Sequence, residues 1–150
     1  MTYIGIDPGV SGALCAITEE GEIVFRQPFD EGLFREVLDW LSVDRSFCVL
    51  EKVSAMPGQG VTSMFTFGQN YGYTQGLLRA FQIPFELVTP KVWKREFGLT
   101  SDKASSIETV KRLFPGVNLH RTERSRTDDN NLAEALLMAE YARRKHGGKT

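Results

Sequence analysis

The first part of the chain alternates apolar runs with turns in the manner of a β-meander. The run of residues 2–7 is apolar and β-branched, a Pro-Gly turn follows it, and residues 11–18 form a second strand-like run. Residues 22–27 alternate apolar and polar side chains and predict a third strand, antiparallel to the second. Two shorter apolar runs, residues 47–51 and 85–88, predict further strands, and the first of these is expected to be buried on both faces.

Helical periodicity marks the segments between and after these strands. Residues 31–42 carry apolar side chains at the three- and four-residue spacing of an amphipathic helix, and residues 61–80, 103–113 and 132–145 are also predicted to be helical. Thr89-Pro90 predicts the start of another short helix, because proline favours the first helical position. This order of elements predicts an α/β fold with a mixed central sheet flanked by helices, in one domain over residues 1–150.

Three glycines recur at every fourth position of the helix predicted over residues 61–80. Gly68, Gly72 and Gly76 therefore share one stripe, along which another backbone can approach closely. Each glycine costs a helix about 1 kcal/mol relative to alanine, so the stripe requires a packing reason. Packing against the sheet of the same chain and a seam between two copies of the chain are equally consistent with the pattern.

Composition excludes several classes of protein. The 150 residues are 41% hydrophobic and 25% charged, which is typical of a globular chain rather than a disordered or coiled-coil one. No apolar run approaches the roughly 20 residues of a membrane helix, and the first residues lack the features of a signal peptide. We therefore expect a cytoplasmic protein without a membrane partner. Cys15 and Cys48 lie in apolar runs and are expected to be buried free thiols.

A net charge of −1 conceals an uneven distribution of charges. Residues 1–78 carry 4 Lys and Arg against 10 Asp and Glu, whereas residues 79–126 carry 10 against 5. An acidic part suited to a metal ion is thus joined to a basic part suited to phosphate. The candidate DNA contacts are the basic residues near the two short helices and in the loop before the last helix: Lys91, Lys94, Arg95, Lys103, Arg121, Arg124 and Arg126.

Three acidic residues emerge from apolar stretches. Asp7 ends the first predicted strand, Glu51 ends the short buried strand, and Glu134 lies among apolar residues of the last helix. A carboxylate buried without a partner costs several kcal/mol, so an acid in such a context implies a cation. Singly, each acid is also consistent with a turn or a salt bridge. Together they favour Mg²⁺ or Mn²⁺ over zinc, because the chain has no suitable Cys/His cluster.

Apolar side chains lie in and beside the glycine-rich loop predicted over residues 53–60. Met56, Met64, Phe65 and Phe67 are suited to stacking on unpaired bases at a DNA crossover. A role in the hydrophobic core or in a dimer contact is equally consistent with any one of them.

Four motifs follow one another along the chain: Ile4-Gly-Ile-Asp-Pro-Gly-Val-Ser-Gly-Ala13, Val49-Leu-Glu-Lys52, Thr89-Pro-Lys-Val-Trp-Lys94 with Lys103 nine residues later, and Leu132-Ala-Glu-Ala-Leu-Leu-Met-Ala139. In this order they resemble the RuvC family of Holliday junction resolvases, particularly its phage and organelle-like branch. The resemblance implies an RNase H-like fold, a homodimer, and metal-dependent cutting of four-way DNA junctions by two symmetric nicks. It also implies a nucleoid-associated protein of a bacterial or phage-infected cell.

The resemblance assigns the acidic set to Asp7, Glu51 and Glu134, and it assigns Lys103, with Lys91 or Lys94, to the scissile backbone. It implies hydrolysis with two Mg²⁺ or Mn²⁺ ions per site, in which Asp7 bridges both ions. The family's fourth acid belongs at the start of the last helix. There this chain has Asn130 and Asn131, so Asn130 would join the metal ligands with a neutral oxygen.

Three explanations of this asparagine stay open. Asp128 or Asp129 could substitute from the adjacent loop, three acids could suffice, or an Asp→Asn change could have produced a chain that binds junctions and cuts them poorly. Two other functions also stay open. The asparagine keeps a catalytically silent DNA-junction binding module in view, and the opening hairpin is shared with actin-like ATPases, which need two such domains around a nucleotide.

Overall fold

The computed structural model describes residues 1–54 and 58–147, and in these ranges it contains every strand and helix that the sequence pattern predicts. Predicted and observed boundaries differ by about two residues at most. The strands are β1 (Thr2–Asp7), β2 (Ala13–Thr18), β3 (Ile23–Pro28), β4 (Ser46–Glu51) and β5 (Phe85–Val88). The helices are α1 (Glu31–Leu41), α2 (Val61–Ala80), α3 (Pro90–Glu96), α4 (Lys103–Leu113) and α5 (Asn130–His146).

The strands form one mixed sheet in the order β3-β2-β1-β4-β5. The first three strands in the chain pair antiparallel, whereas β4 pairs parallel with β1 and with β5. Because parallel strands end at the same edge of a sheet, the last residues of β1 and β4 lie on one side of the molecule. In the register, Ile6 pairs with Leu50, so that Asp7 and Glu51 both lie at this edge.

Helix α5 packs on one face of the sheet with its backbone against that of β1. A Cβ atom on Gly5 would collide with the carbonyl oxygen of Ala135 and the amide of Ala139, so only glycine allows this approach. At the far end of the helix, Gly147 lies beside Tyr3. Helix α5 therefore runs back along β1, and its first turns lie beside the end of β1 where Asp7 is found.

The two faces of the sheet carry separate hydrophobic cores, because successive side chains of a strand point to opposite faces. Tyr3 and Cys15 belong to the core under α3, α4 and α5, whereas Ile4 and Cys48 belong to the core under α1 and the end of α2. Both cysteines are free and fully buried, as predicted, and burial raises the pKa of the Cys15 thiol to about 12. None of the described helices has both the length and the apolar composition that crossing a bilayer requires.

The glycine stripe of α2 faces open space. A Cβ atom on Gly68, Gly72 or Gly76 would meet nothing within 4 Å. The interpretation that these glycines pack against the sheet of the same chain is therefore wrong. The opposite side of the helix, which carries Thr74 and Leu78, is the buried one. A seam between two copies of the chain stays a prediction.

Candidate active site

The three predicted acids are held by three rigid elements around one edge of the sheet. Asp7 and Glu51 are each 8% exposed at the ends of β1 and β4, and Glu134 lies in the second turn of α5 with a mostly buried side chain. The turn after β1 is tight, because a Cβ atom on Gly12 would collide with the carbonyl oxygen of Asp7. The position of the Asp7 carboxylate is therefore fixed by β1 and by the tight turn that follows it.

The acids are close enough to influence one another's protonation. The pKa of Asp7 is raised from 3.8 to about 8, mainly by burial, and then by the charges of Glu51, Glu134 and Asp129, while Lys94 opposes the rise. Burial also raises the pKa of Glu51, and a hydrogen bond from Trp93 opposes that rise. Such mutual repulsion is expected where several carboxylates face one small volume, and it favours binding of a cation.

The carboxylates do not form a closed ligand sphere. Within residues 1–54 and 58–147, no three His, Cys, Asp or Glu side chains lie close enough together to hold an ion as they stand. Two of the acids have other partners: Glu134 forms a salt bridge with the Lys94 ammonium at 3.4 Å, and Glu51 accepts a hydrogen bond from the Trp93 indole at 2.9 Å. The site is thus a cluster of acids at one sheet edge, with some of its negative charge neutralised by Lys94.

Asn130 carries the one unpartnered buried oxygen of the described side chains. Its Oδ1 atom is buried and accepts no hydrogen bond, although a buried polar atom without a partner costs about 1–3 kcal/mol. Asn130 is the first residue of α5, one turn before Glu134. Because no N–H or O–H group donates to this oxygen, it is available to bind a cation.

The neighbouring aspartates have structural partners. Asp128 forms a salt bridge with Lys111 at 2.6 Å, and its other carboxylate oxygen lies 3.7 Å from Nε2 of His120. Asp129 caps α5 by accepting a hydrogen bond from the amide of Asn131, and it also pairs with Arg121 at 3.0 Å. To act as the fourth acid that the resemblance implies, either aspartate would have to give up these contacts. Of the two, Asp129 has a charge near enough to raise the pKa of Asp7.

The donor chemistry of this edge fits a hard divalent cation. Asp7, Glu51, Glu134 and Asn130 offer only oxygen atoms, which Mg²⁺ and Mn²⁺ prefer. The raised pKa of Asp7 and the orphaned oxygen of Asn130 both indicate that positive charge is favourable here. These four residues are therefore the candidate metal ligands.

Solved structures of Holliday junction resolvases match this chain over nearly its whole length. RuvC of Thermus thermophilus in complex with a Holliday junction substrate superposes with a TM-score of 0.64 and 17% identity, covering 98% of this chain and 97% of that one. A second Thermus thermophilus RuvC structure gives 0.61 and 18%, with 97% of each chain covered. The yeast mitochondrial Holliday junction resolvase gives 0.52 and 14%, covering 96% of this chain and 80% of that one.

This chain has the RuvC fold. The RNase H-like α/β architecture that the four motifs imply is thereby confirmed, with its mixed sheet and antiparallel opening. No protein-family model matches the sequence, and no curated protein matches it either.

On this RuvC fold most of the predicted basic residues are exposed, whereas Arg121 is bound to other parts of the chain. Lys91, Arg95, Lys103 and Arg124 are exposed, and Lys103 is the first residue of α4. Arg121 instead forms hydrogen bonds with the carbonyl oxygens of Ser11 and Gly12 and with Asp129, so it ties the β1–β2 turn to the start of α5. The guanidinium thus has its partners within the chain, and contact of Arg121 with DNA stays a prediction.

The predicted junction probe lies partly on α2. Phe65 is 68% exposed near the start of this helix. Phe67 packs beside Gly9 of the β1–β2 turn and beside the ring of Tyr71, at 5.7 Å between ring centroids. Met56 lies outside the described residues. The exposed aromatic ring of Phe65 is thus carried by the helix that borders the acidic edge.

Two aromatic contacts with Glu51 are absent from the sequence predictions. The hydroxyl of Tyr71 donates a hydrogen bond to the Glu51 carbonyl oxygen at 3.0 Å, and the Trp93 indole donates to the Glu51 carboxylate. The sequence does indicate that Trp93 needs a partner. A tryptophan in a short helix after a strand is expected to be buried, and a buried indole N–H group needs an acceptor. The sequence did not indicate which acceptor that would be.

Proposed function

We propose that this chain is a metal-dependent endonuclease that resolves four-way DNA junctions by paired nicks, working as a homodimer of one nuclease domain. The observation that carries the proposal is the arrangement of Asp7, Glu51 and Glu134 around one edge of a RuvC fold, with the unpartnered oxygen of Asn130 one turn before Glu134. The solved structure with a junction substrate has this fold, which supports branched DNA as the substrate class.

Two Mg²⁺ or Mn²⁺ ions at this edge would supply an activated water and stabilise the leaving 3′ oxygen. Asp7 would be the acid common to both ions, because β1 lies beside both β4, which carries Glu51, and α5, which carries Glu134. Glu51 and Glu134 would each hold one side of the pair, and Asn130 would add a neutral oxygen. The Lys94 ammonium, 3.4 Å from Glu134, would contact a phosphate that reaches the same acids.

The exposed basic residues extend this site into a surface for DNA. Lys91 and Arg95 belong to α3, which also carries Lys94, and Lys103 begins α4. Each basic residue that neutralises a phosphate adds salt-dependent affinity without sequence preference. Recognition of the crossover itself is assigned to the aromatic ring of Phe65.

Phe65→Ala is expected to weaken junction binding by about 1–3 kcal/mol, the usual value of one base-stacking contact. Stability should not change, because Phe65 is 68% exposed. Binding is measured by titration of a labelled four-way junction and of a linear duplex, in Ca²⁺ to prevent cleavage. The loss should be confined to the junction. Val61→Ala, an exposed apolar residue one turn earlier, is the matched control, and an equal loss in both variants would contradict the role of Phe65.

Gly72→Leu is expected to convert the homodimer into a monomer. In the single chain a side chain at this position meets open space, and leucine favours a helix over glycine by somewhat less than about 1 kcal/mol, so the monomer should be at least as stable as before. Light scattering coupled to size exclusion gives the oligomeric state, and thermal melting gives the stability. Glu36→Leu adds the same side chain to the exposed face of α1 as a control. A dimer that survives Gly72→Leu means that the seam lies elsewhere.

The proposal is tested by nicking of a labelled four-way junction, compared with a linear duplex of the same sequence, in Mg²⁺ and in Mn²⁺. We expect symmetric nicks in the junction alone, abolished by a chelator. Nicking that continues in the chelator would exclude the metal-dependent scheme.

A catalytically silent junction-binding module is the second candidate, and Asn130 is the observation that favours it. Tight binding with no nicking, both in this chain and in Asn130→Asp, would establish the binding module instead. ATP hydrolysis, measured in the same samples, would indicate the actin-like alternative.

A further inference from the structure

The indole of Trp93 makes a directed contact with one candidate metal ligand. Its Nε1–H group donates a hydrogen bond to Glu51 Oε2 at 2.9 Å, and both side chains are buried, Trp93 completely. The contact follows from the sheet, because Glu51 pairs with Val88, the last residue of β5, and α3 begins two residues later. The ring that fills this part of the core thus also reaches the end of β4.

Glu51 is held at its backbone as well as at its carboxylate. The Tyr71 hydroxyl of α2 donates to the Glu51 carbonyl oxygen at 3.0 Å and accepts a hydrogen bond from the amide of Val53 at 3.4 Å. With the main chain fixed by Tyr71, the remaining freedom of Glu51 is rotation of its side chain. The hydrogen bond from Trp93 removes that freedom, because it requires Oε2 to point at the indole.

We propose that Trp93 is a positioning residue: it engages Oε2 of Glu51 and thereby presents Oε1 to the metal ion. This inference rests on the proposed function, since it concerns how one ligand of that site is oriented. A residue that orients a metal ligand from outside the coordination sphere typically contributes 10- to 100-fold, by order of magnitude, to metal affinity or activity. A tryptophan that only fills the core would contribute to folding and leave metal affinity unchanged.

Trp93→Phe removes the N–H donor while it keeps an aromatic ring in the core. We expect it to weaken Mn²⁺ binding by about 10-fold or more, measured by calorimetric titration of the full chain without DNA. Phe114→Leu is the matched control, because it reduces an aromatic side chain of the same core. This control should lower the melting temperature and leave the Mn²⁺ affinity within about twofold of the parent.

A tryptophan isostere with sulfur in place of the indole N–H separates the hydrogen bond from the ring volume. Trp40 is the other tryptophan and is 60% exposed, so Trp40→Phe leaves Trp93 as the only position labelled. The isostere should reproduce the weakened Mn²⁺ binding of Trp93→Phe. If the parent binds Mn²⁺ and both modified proteins bind it equally well, the role of Trp93 is overturned and the nuclease proposal stands. If the parent binds no Mn²⁺, both proposals fail.

Discussion

Asn130→Asp is expected to increase the rate of junction nicking by on the order of 10²-fold, the effect typical of one added electrostatic contact in a buried site. The Oδ1 atom of Asn130 is already buried and unpartnered one turn before Glu134, so an aspartate would replace a neutral ligand by a charged one in the same place. The rate is measured under single-turnover conditions on a labelled four-way junction in Mg²⁺.

The adjacent Asn131→Asp is the control for this substitution, because it adds the same charge at the next position of α5. It should leave the nicking rate nearly unchanged. Equal and measurable nicking rates in the parent and in Asn130→Asp would mean that three acids suffice or that Asp129 supplies the fourth ligand. Asp129→Asn then decides between these explanations, since only the second predicts a loss of nicking. Asparagine caps a helix about as well as aspartate, so the cap of α5 should be kept in this variant.

Asp7→Asn is expected to have opposite effects on activity and on stability. Nicking should fall by about 10³-fold or more, because the residue proposed to be shared by both ions loses its charge. In a chelator near pH 8 the variant should be more stable than the parent by on the order of a few kcal/mol, because a buried carboxyl that is repelled when ionised is replaced by a neutral amide. For a chain of this length, each kcal/mol corresponds to about 2–4 °C in melting temperature.

The stability difference should depend on pH in a defined direction. The pKa of Asp7 is about 8 in the folded protein and near 3.8 when unperturbed, so between these values the folded state holds a proton that the unfolded state has released. The contribution of Asp7 to stability is therefore complete below pH 4 and is lost as the pH rises to 8. Melting in a chelator across this range should show a steeper decline for the parent than for Asp7→Asn.

Asp44→Asn, at an exposed acid in the loop before β4, is the control and should change neither activity nor the pH profile of melting. Addition of Mn²⁺ should raise the melting temperature of the parent and leave that of Asp7→Asn nearly unchanged. A parent profile as flat as that of the variant would show that Asp7 is ionised in the folded protein, and that its carboxylate is not subject to the repulsion described above.

Most of the fold could be predicted from local signals. The alternation in β3, the helical spacing in α1, and Pro90 at the start of α3 each depend on a few neighbouring residues, and all of them appear where the pattern indicates. The positions of Asp7 and Glu51 were also predictable as strand ends. The two residues lie at one edge because β1 and β4 pair parallel. A mixed sheet is compatible with this pairing, but the prediction of a mixed sheet does not say which strands are parallel.

Pairings between distant side chains were not predictable in the same way. The hydrogen bond between Trp93 and Glu51 joins residues 42 positions apart, and the salt bridge between Lys94 and Glu134 joins α3 to α5. Both depend on the rotation of a short helix about its axis, which the spacing of apolar residues does not fix. For Arg121 the sequence shows only a positive charge in a polar loop, whereas its carbonyl partners lie in the β1–β2 turn, more than a hundred residues away.

The close approach at Gly5 sets the spacing between Asp7 and the first turns of α5. The main chains of β1 and α5 are in contact at Gly5, because its side chain is only a hydrogen atom. This contact also fixes the distance between Asp7 and the first turns of α5. Even a methyl group at position 5 would act as a spacer and push the whole helix outward. The spacing between Asp7 and α5 is therefore determined inside the core, two residues before the acid, and remodelling the surface loops would leave it unaltered.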